Sequence, residues 1–320
     1  MYSNLSRLPG WGVASIAAAA ASGALAIFNA SSARKAERRN HVGGAFITID
    51  GTKLHYLSRG EGPAIVLLHG NGSMIQDWMI SGLIDKLSRN HRVVAFDRPG
   101  FGYSERPRTT IWTPEAQADL LAKAVVGLEL GIPTVVGHSF GTLVAIALAL
   151  NHPELIARLV LIGGYYYPTA RVDAVLASGP AIPVAGDLMR YTISPVAGKL
   201  LVPTANRKLF APAPVTSEWE EEYPMEMALR PSQIRAVSAE AALMVLAAAR
   251  LSSRYGELDG PTTIIAGDGD RVVNPQDHSA RLNAELSASK LLLVPGAGHM
   301  VHHTAATAVR DAILGQAQAC

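Results

Sequence analysis

The stretch from Gly137 to Gly141, which reads Gly-His-Ser-Phe-Gly, constrains the fold of this 320-residue chain more than any other. Thr134-Val135-Val136 before it has the composition of a short buried strand, and the apolar run 142–150 after it is typical of a buried helix. A serine between two glycines at such a junction indicates a sharp turn that pushes the serine out over the sheet edge. A Cβ at either glycine would crowd that turn. The sequence therefore predicts a strand, an exposed Ser139 and a helix in immediate succession.

Predicted strands and helices alternate along much of the chain, which indicates a mostly parallel sheet covered by helices on both faces. Asp50-Gly51, inside an alternating apolar pattern, predicts a hairpin turn. The predicted strands are Ala64–Leu68, Arg92–Phe96, Thr134–Val136, Arg158–Ile162, Thr262–Ala266 and Leu291–Val294. The predicted helices are 76–89, 114–130, 140–151, 276–287 and 302–314.

Two further residues complete the chemistry that an exposed serine needs. Asp270 and His299 each follow an apolar run typical of a strand, so both are expected in loops at the carboxyl edge of the sheet. A serine hydroxyl is a poor nucleophile, so an imidazole must accept its proton and a carboxylate must orient that imidazole. Asp268 follows the same strand as Asp270 and is the alternative acid. The sequence predicts Ser139, Asp270 and His299 as a catalytic triad.

The three residues occur in the order Ser, Asp, His along the chain. In this order the chain resembles the α/β-hydrolase fold superfamily, in its serine-nucleophile branch, over most of residues 45–316. His69-Gly70-Asn71-Gly72 is similar to the oxyanion-hole loop of that family, and the segment 97–104 (Asp-Arg-Pro-Gly-Phe-Gly-Tyr-Ser) to its D-x-x-G-x-G-x-S segment. The family's G-x-x-D pattern for the acid selects Asp270. The resemblance implies a hydrolase that acts through an acyl-enzyme without a cofactor.

The resemblance also implies an oxyanion hole. The backbone N–H of Phe140, at the start of the helix after Ser139, is the first expected donor, and Asn71 is the second. His69 is expected to orient the loop, and His138 to pack beside the turn without acting as a base. Arg98 is expected to shape a loop near the serine rather than to contact substrate.

The alternation of strands and helices stops between Gly163 and about Ser232, where nine prolines interrupt short helical fragments. In the family this position carries the cap over the active site, and long segments of this kind are often functional lids. The sequence thus predicts one catalytic domain, 45–316, with a cap insertion at about 164–232. The aromatic residues of the insertion are expected either to roof the pocket or to pack the cap on the core. No individual substrate-binding residue is predicted.

An N-terminal segment, 1–44, stands apart from this domain. Residues 10–30 hold no charge and are long enough to cross a bilayer, and a polar linker is expected at 31–44. We expect an uncleaved membrane anchor, with the basic cluster Arg34, Lys35, Arg38 and Arg39 holding the catalytic domain on the cytoplasmic side. A cleaved signal peptide, which would export the enzyme, is the alternative.

Composition excludes several other functions. The net charge of +2 comes with no basic patch of the kind that binds nucleic acid. Cys320 is the only cysteine, so no intrachain disulfide can form. No metal site is predicted, because no group of His, Cys and carboxylate residues has ligand spacing, and His302-His303 is interpreted as a polar helix start.

The expected reaction is hydrolysis of a carboxylic ester of a small or medium hydrophobic molecule. Aspartate-dependent relatives such as dehalogenases are disfavoured by Ser139. A lactonase, a carbon–carbon bond hydrolase of ring-cleavage products and a cofactor-free peroxidase remain alternatives, as does a receptor-like binding protein with little turnover. The carbon–carbon hydrolases usually carry Ser-Gly-Pro-Gly-like residues after His-Gly, where this chain has Asn71-Gly72-Ser73-Met74.

Overall fold

The computed structural model describes residues 10–40 and 43–316, and its strands form a single mixed sheet. The strands are β1 (Ala45–Ile49), β2 (Thr52–Arg59), β3 (Ala64–Leu68), β4 (Arg92–Phe96), β5 (Thr134–His138), β6 (Arg158–Ile162), β7 (Thr262–Gly267) and β8 (Ser289–Val294). They are arranged in the order β1-β2-β4-β3-β5-β6-β7-β8. β1 and β2 form the predicted hairpin, β2 pairs antiparallel with β4, and all other pairs are parallel.

Helices cover both faces of this sheet, as the alternation predicts. They are α1 (Gly10–Arg39), α2 (Ile75–Ile80), α3 (Leu83–Leu87), α4 (Pro114–Gly127), α5 (Phe140–Asn151), α6 (Val172–Ala177), α7 (Ala185–Tyr191), α8 (Ile193–Phe210), α9 (Ser217–Glu222), α10 (Met225–Ala228), α11 (Pro231–Ser252), α12 (Arg281–Glu285), α13 (Val301–Thr304) and α14 (Ala306–Ile313). Apolar side chains of α4 and α5 bury one sheet face, and those of α3 and α14 bury the other. The predicted α/β-hydrolase architecture is therefore confirmed.

The helices of the structure differ from the prediction in several regions. The predicted helix 76–89 is split into α2 and α3, because Gly82 between them adopts a left-handed φ of 69°. Helix α8 continues through Pro203, which the prediction treats as an interruption. The prediction has no helix at 231–252, where the 22-residue α11 lies. Its first residue is Pro231, which is favoured at this position since the first turn of a helix lacks acceptors for its N–H groups.

A helical insertion, α6 to α10, lies between β6 and α11, at the position of the expected cap. Residues of α6, α8, α9 and α10 line a cavity together with Ser139, which follows the carboxyl end of β5, and α11 contacts α5, α6, α7, α8 and α10. The cap helices therefore contact α11, and α11 in turn packs on α5, the helix that follows Ser139.

Helix α1 differs from the prediction of a linker at 31–44, since it continues unbroken to Arg39. Its C-terminal half packs on the cap: Ala36 is buried, Asn29 Nδ2 donates to the carbonyls of Tyr191 and Thr192, and Glu37 forms a 2.7 Å ion pair with Arg230. Its N-terminal half projects from the protein, with Ala14 to Ala21 exposed. The helix is long and apolar enough to span a membrane, as an N-terminal signal sequence would also be, and its exposure excludes a buried core helix.

Candidate active site

Ser139 lies in a strained turn between β5 and α5. Its backbone has φ 51° and ψ −120°, a conformation that non-glycine residues adopt rarely and mainly at functional sites. A Cβ on Gly137 would lie 2.5 Å from the carbonyl oxygen of Gly141, and one on Gly141 would lie 2.3 Å from that of Leu68. Both glycines are therefore required by the close approach of neighbouring backbone, and the turn leaves Ser139 partly exposed.

The structure brings together the three residues of the predicted triad. His299, in the loop after β8, has its Nε2 3.0 Å from Ser139 Oγ. Its Nδ1 lies 2.7 Å from Oδ2 of Asp270, in the loop after β7. His299 and Asp270 are 2% and 8% exposed. This is the geometry in which the imidazole accepts the hydroxyl proton while the carboxylate fixes its tautomer.

Asp270, rather than Asp268, faces His299. Oδ1 of Asp270 accepts hydrogen bonds from the backbone N–H groups of Val272 and Val273, at 2.7 and 2.9 Å. Burial raises the pKa of this carboxyl, but the net pKa lies below its ordinary value because His299 and the two N–H groups stabilise the charge. Asp268 is exposed and accepts a bond from the backbone N–H of Gly296. The structure thus separates the two acids.

The two predicted oxyanion-hole residues flank Ser139. Phe140 is the first residue of α5, so its N–H belongs to the unpaired first turn of a helix. The loop after β3 passes beside the serine, since a Cβ on Gly70 would lie 3.0 Å from Ser139 Cβ. Asn71 follows in that loop and lines the same cavity as Ser139. Its side-chain amide donates to the carbonyl of Val237 in α11 at 3.2 Å.

A buried histidine and arginine hold this loop. His69 Nδ1 bonds the carbonyl of Gly70 at 2.8 Å, and its Nε2 accepts the backbone N–H of Arg98 at 3.0 Å. Arg98 Nε donates to the carbonyl of His69, and its Nη2 to that of Gly70. Burial, and then the charge of Arg98, lower the pKa of His69 to about 4, so its ring is neutral near pH 7. Both residues position the loop, as the sequence predicts.

The charge of Arg98 is balanced by a residue that the prediction missed. Glu240, on α11, forms a bidentate pair with it at 2.5 and 3.0 Å, and both side chains are fully buried. Gln117 bonds both partners. An unpaired charge at this depth would be costly, so the pair fixes α11 relative to the oxyanion loop. Arg98 and Glu240 are 142 residues apart in the sequence, so no local sequence pattern predicts their pairing.

A second missed residue is Asp77, on α2. Its Oδ1 accepts Nε2 of His302 at 2.8 Å and Nε2 of His303 at 2.6 Å, and its Oδ2 accepts the hydroxyl of Ser73. His302 and His303 belong to α13, but their side chains are buried, so the interpretation as a polar helix start is wrong. The carboxylate of Asp77 supplies the hydrogen-bond partner that water would otherwise provide. The three ligand atoms lie within 4.8 Å of one another, as in a metal site, yet these hydrogen bonds already pair them.

His138 is buried next to this group. Its ring packs on those of His302 and His299, with centroids 4.3 and 5.1 Å apart, and its Nε2 lies 3.2 Å from the carbonyl of His299. Burial and then the neighbouring imidazoles lower the pKa of His138 well below its ordinary value. A neutral ring in contact with the backbone of His299 is consistent with the predicted packing role.

A cavity of about 420 Å³ opens above Ser139 beneath the cap. Most of its lining is apolar, and α6, α8 and α11 supply much of the wall. Among the aromatic residues of the cap, Tyr165, Trp219 and Tyr223 line the cavity, whereas Tyr166 and Phe210 are fully buried in the packing. Both expected roles of these aromatic residues therefore occur.

Comparison with known families agrees with this geometry. Residues 63–306, which include the whole triad, match the alpha/beta hydrolase fold family. This chain belongs to the α/β-hydrolase fold family. Its members share a fold and a site location, whereas the reaction depends on the residues of each site.

Two relatives with similar sequences are named as hydrolases of particular compounds. The chain is 30% identical over 254 residues to 2-hydroxy-6-oxo-2,4-heptadienoate hydrolase of Pseudomonas putida strain F1, covering 78% of this chain and 86% of that protein. It is 37% identical over 134 residues to 2-hydroxymuconate semialdehyde hydrolase of Pseudomonas sp. strain CF600, a match that spans 41% of this chain and only 47% of the relative. Both are hydrolases.

A solved structure shows the same fold. The enol-lactonase of Burkholderia xenovorans LB400 superposes with a TM-score of 0.66 at 21% identity, over 85% of this chain and 99% of that one. At this identity the likeness concerns the fold alone.

Proposed function

We propose that the chain is a serine-dependent hydrolase that cleaves a bond next to a carbonyl group. The observation that supports this most strongly is the continuous Ser139–His299–Asp270 hydrogen-bond chain at the floor of the cavity. Ser139 Oγ attacks the carbonyl carbon while His299 Nε2 takes its proton. The bond to the leaving atom breaks, His299 protonates that atom, and a water activated by His299 then hydrolyses the acyl-Ser139.

The oxygen of the attacked carbonyl becomes negatively charged in this step. In the proposed site the N–H groups of Phe140 and Asn71 donate hydrogen bonds to that oxygen. The dipole at the N-terminus of α5 stabilises the same charge. Such donors help only when they are held in place before the reaction. The bonds from Arg98 to the carbonyls of His69 and Gly70 supply that rigidity.

The relatives favour the carbon–carbon bond hydrolase among the alternatives. Their names describe hydrolases of oxo-dienoic and semialdehyde compounds, and one of them aligns with most of this chain. For such a substrate the leaving atom is carbon, which His299 must protonate as the bond breaks. We therefore propose this reaction first, in place of ester hydrolysis.

One feature of the cavity keeps ester hydrolysis as the second candidate. A dienoate substrate carries a carboxylate, which a free cation in the cavity would bind. Among the described residues that line the cavity, Arg171 is the one arginine or lysine, and Asp173 pairs with it at 2.7 and 2.8 Å. An apolar cavity with its cation already paired favours an uncharged ester.

Rates on two substrates distinguish these candidates. Full-length protein in detergent is assayed with 2-hydroxy-6-oxo-hepta-2,4-dienoate, followed by loss of its absorbance, and with p-nitrophenyl esters. We expect the larger kcat/KM on the dienoate. Faster cleavage of the esters, with no loss of dienoate absorbance, would instead support the ester hydrolase.

Ser139→Ala tests the catalytic assignment that both candidates share. It should lower turnover on the order of 10⁶-fold, because loss of a triad nucleophile removes the covalent route. A fluorophosphonate probe should label wild type and the control Ser253→Ala but not Ser139→Ala. Ser253 is exposed and follows the last residue of α11. Unchanged activity in Ser139→Ala would refute a serine mechanism.

We also propose that α1 is an uncleaved membrane anchor, with the catalytic domain on the cytoplasmic side. The support is the uncharged segment of α1 from Gly10 to Phe28, which precedes the docked residue Asn29. It is about 28 Å long at ~1.5 Å per residue, which approaches the ~30 Å of a bilayer core. The protein should resist a high-salt wash and leave membranes with detergent. A mature N-terminus after Ala26 or Ala30 would show an export signal instead.

A further inference from the structure

Exposed apolar side chains are concentrated on one part of the cap. Eleven of the nineteen large apolar side chains that are exposed in residues 14–40 and 43–316 lie between Val172 and Leu201. Leu176, Val184 and Leu200 are the most exposed, at 78%, 81% and 77%. Soluble proteins rarely gather apolar residues in this way without a partner. We call the exposed side of α6, α7, α8 and the turn between α6 and α7 the cap face.

The elements of the cap face pack on one another and on α1. The turn 179–181 contacts both α6 and α7, α7 contacts α8, and α1 contacts α7. The contact with α1 includes the bonds from Asn29 to the carbonyls of Tyr191 and Thr192, at 2.8 and 2.9 Å. The uncharged segment Gly10–Phe28 therefore ends next to Asn29, the residue that bonds the cap. If that segment spans a bilayer, the membrane surface lies near the level of the cap.

The charges around the cap face suit an anionic lipid surface. Arg34, Lys35, Arg38 and Arg39 are exposed just after the uncharged run of α1. Helix α8 has three exposed basic residues, Lys199, Arg207 and Lys208, and no acidic residue. Basic groups near a membrane surface are attracted by anionic headgroups, while apolar groups between them enter the acyl boundary.

We propose that the cap face is a second membrane-binding surface, which lies in the headgroup and acyl boundary of the bilayer that α1 spans. The proposal rests on the membrane anchor proposed above and adds a contact that the anchor alone does not require. It places the catalytic domain flat against the membrane rather than free on a tether.

This orientation has a consequence for substrate entry. Helices α6 and α8 present apolar side chains outward, and on their other sides Ala174, Ala177, Val202 and Leu209 line the catalytic cavity. One layer of helix thus separates the bilayer from Ser139. A carbonyl compound dissolved in the membrane would reach the cavity between α6 and α8 without passing through water.

Site-specific fluorescence tests the contact. In full-length protein with Cys320→Ser, Leu200→Cys or the control Ile132→Cys is labelled with an environment-sensitive dye and incorporated into phosphatidylcholine–phosphatidylglycerol liposomes. Ile132 is 63% exposed and precedes β5, at the edge of the sheet opposite to Ser139. Lipids with a doxyl quencher just below the headgroup should quench the dye at 200 and leave the dye at 132 unquenched.

The outcomes separate the two proposals. If the protein does not float with the liposomes, the anchor proposal fails. If it floats but the dye at 200 is not quenched, the cap face is not a membrane contact, although the anchor stands. A shift of the dye at 200 that depends on protein concentration, without quenching by lipid, would show that a second copy of the chain covers the face and would overturn the proposal.

Discussion

The carboxyl edge of the sheet and the cap face differ in which groups are buried: polar groups at the first and few of the apolar groups at the second. At the sheet edge the charged and polar groups are buried, and partners within the chain meet most of them: Asp270 with His299, Arg98 with Glu240, Asp77 with two histidines. On the cap face apolar side chains are exposed, and the described chain offers them no cover. The groups of the first region are paired within the protein, whereas those of the second are, in our proposal, covered by the membrane.

After Ser139→Ala, Asp270→Asn should have the largest effect on activity at the sheet edge. Turnover should fall roughly 10⁴-fold, because an amide cannot hold the imidazole in the tautomer that accepts the serine proton. The matched control is Asp268→Asn, since Asp268 is exposed and its carboxylate accepts a bond from the turn at Gly296. Steady-state kinetics on the same substrate compare the two. A larger loss in Asp268→Asn would show that the acid is assigned wrongly.

Glu240→Gln tests whether the buried pair stabilises the whole region. It leaves Arg98 as an uncompensated buried charge, which should lower the free energy of unfolding by about 3–5 kcal/mol. Asp85→Asn removes a partner from the exposed Arg59–Asp85 pair and should cost under ~1 kcal/mol. Urea denaturation measures both. Equal losses would mean that Gln117 and the loop carbonyls suffice to hold Arg98.

The pH dependence of stability offers a smaller test through His69. Its pKa is about 4 in the folded protein against 6.5 ordinarily, so between these values the unfolded chain binds a proton that the folded one does not. The stability that His69 contributes is complete above pH 6.5 and is lost as the pH falls toward 4. His69→Gln should reduce the slope in this range by up to about 1.4 kcal/mol per pH unit. An unchanged slope in denaturation series would contradict a neutral buried His69.

The sequence predicts the catalytic residues at the sheet edge better than it predicts the buried residues that hold this edge in place. Ser139, Asp270 and His299 each follow a separate strand, and parallel strands bring their carboxyl ends to one edge, so local patterns suffice. Glu240 and Asp77 act on partners 142 and up to 226 residues away, and only the folded chain shows these pairs. Helix α11 is a different case. Its Ala-rich composition indicates a helix, but the prediction uses the proline-rich region only to end the cap at about residue 232 and places no helix after it.

The cap face could not be predicted for a physical reason. A short apolar helical fragment has the same composition whether it packs inward or faces outward. Leu200 and Leu201 resemble core residues in the sequence, and only the packing of α8 shows that both are exposed. Conversely His302 resembles a surface residue, and only Asp77 explains its burial.

The division of helix α1 into a projecting half and a docked half indicates where the chain could be shortened for production in soluble form. A cut before Asn29 would delete the uncharged run and retain the bonds of Asn29, the buried Ala36 and the Glu37–Arg230 pair. A cut after Asn40 would strip the cap of these contacts. Even the better cut leaves the apolar side chains of α6 to α8 in water, so the shortened enzyme should self-associate until residues such as Leu176 and Leu200 are made polar.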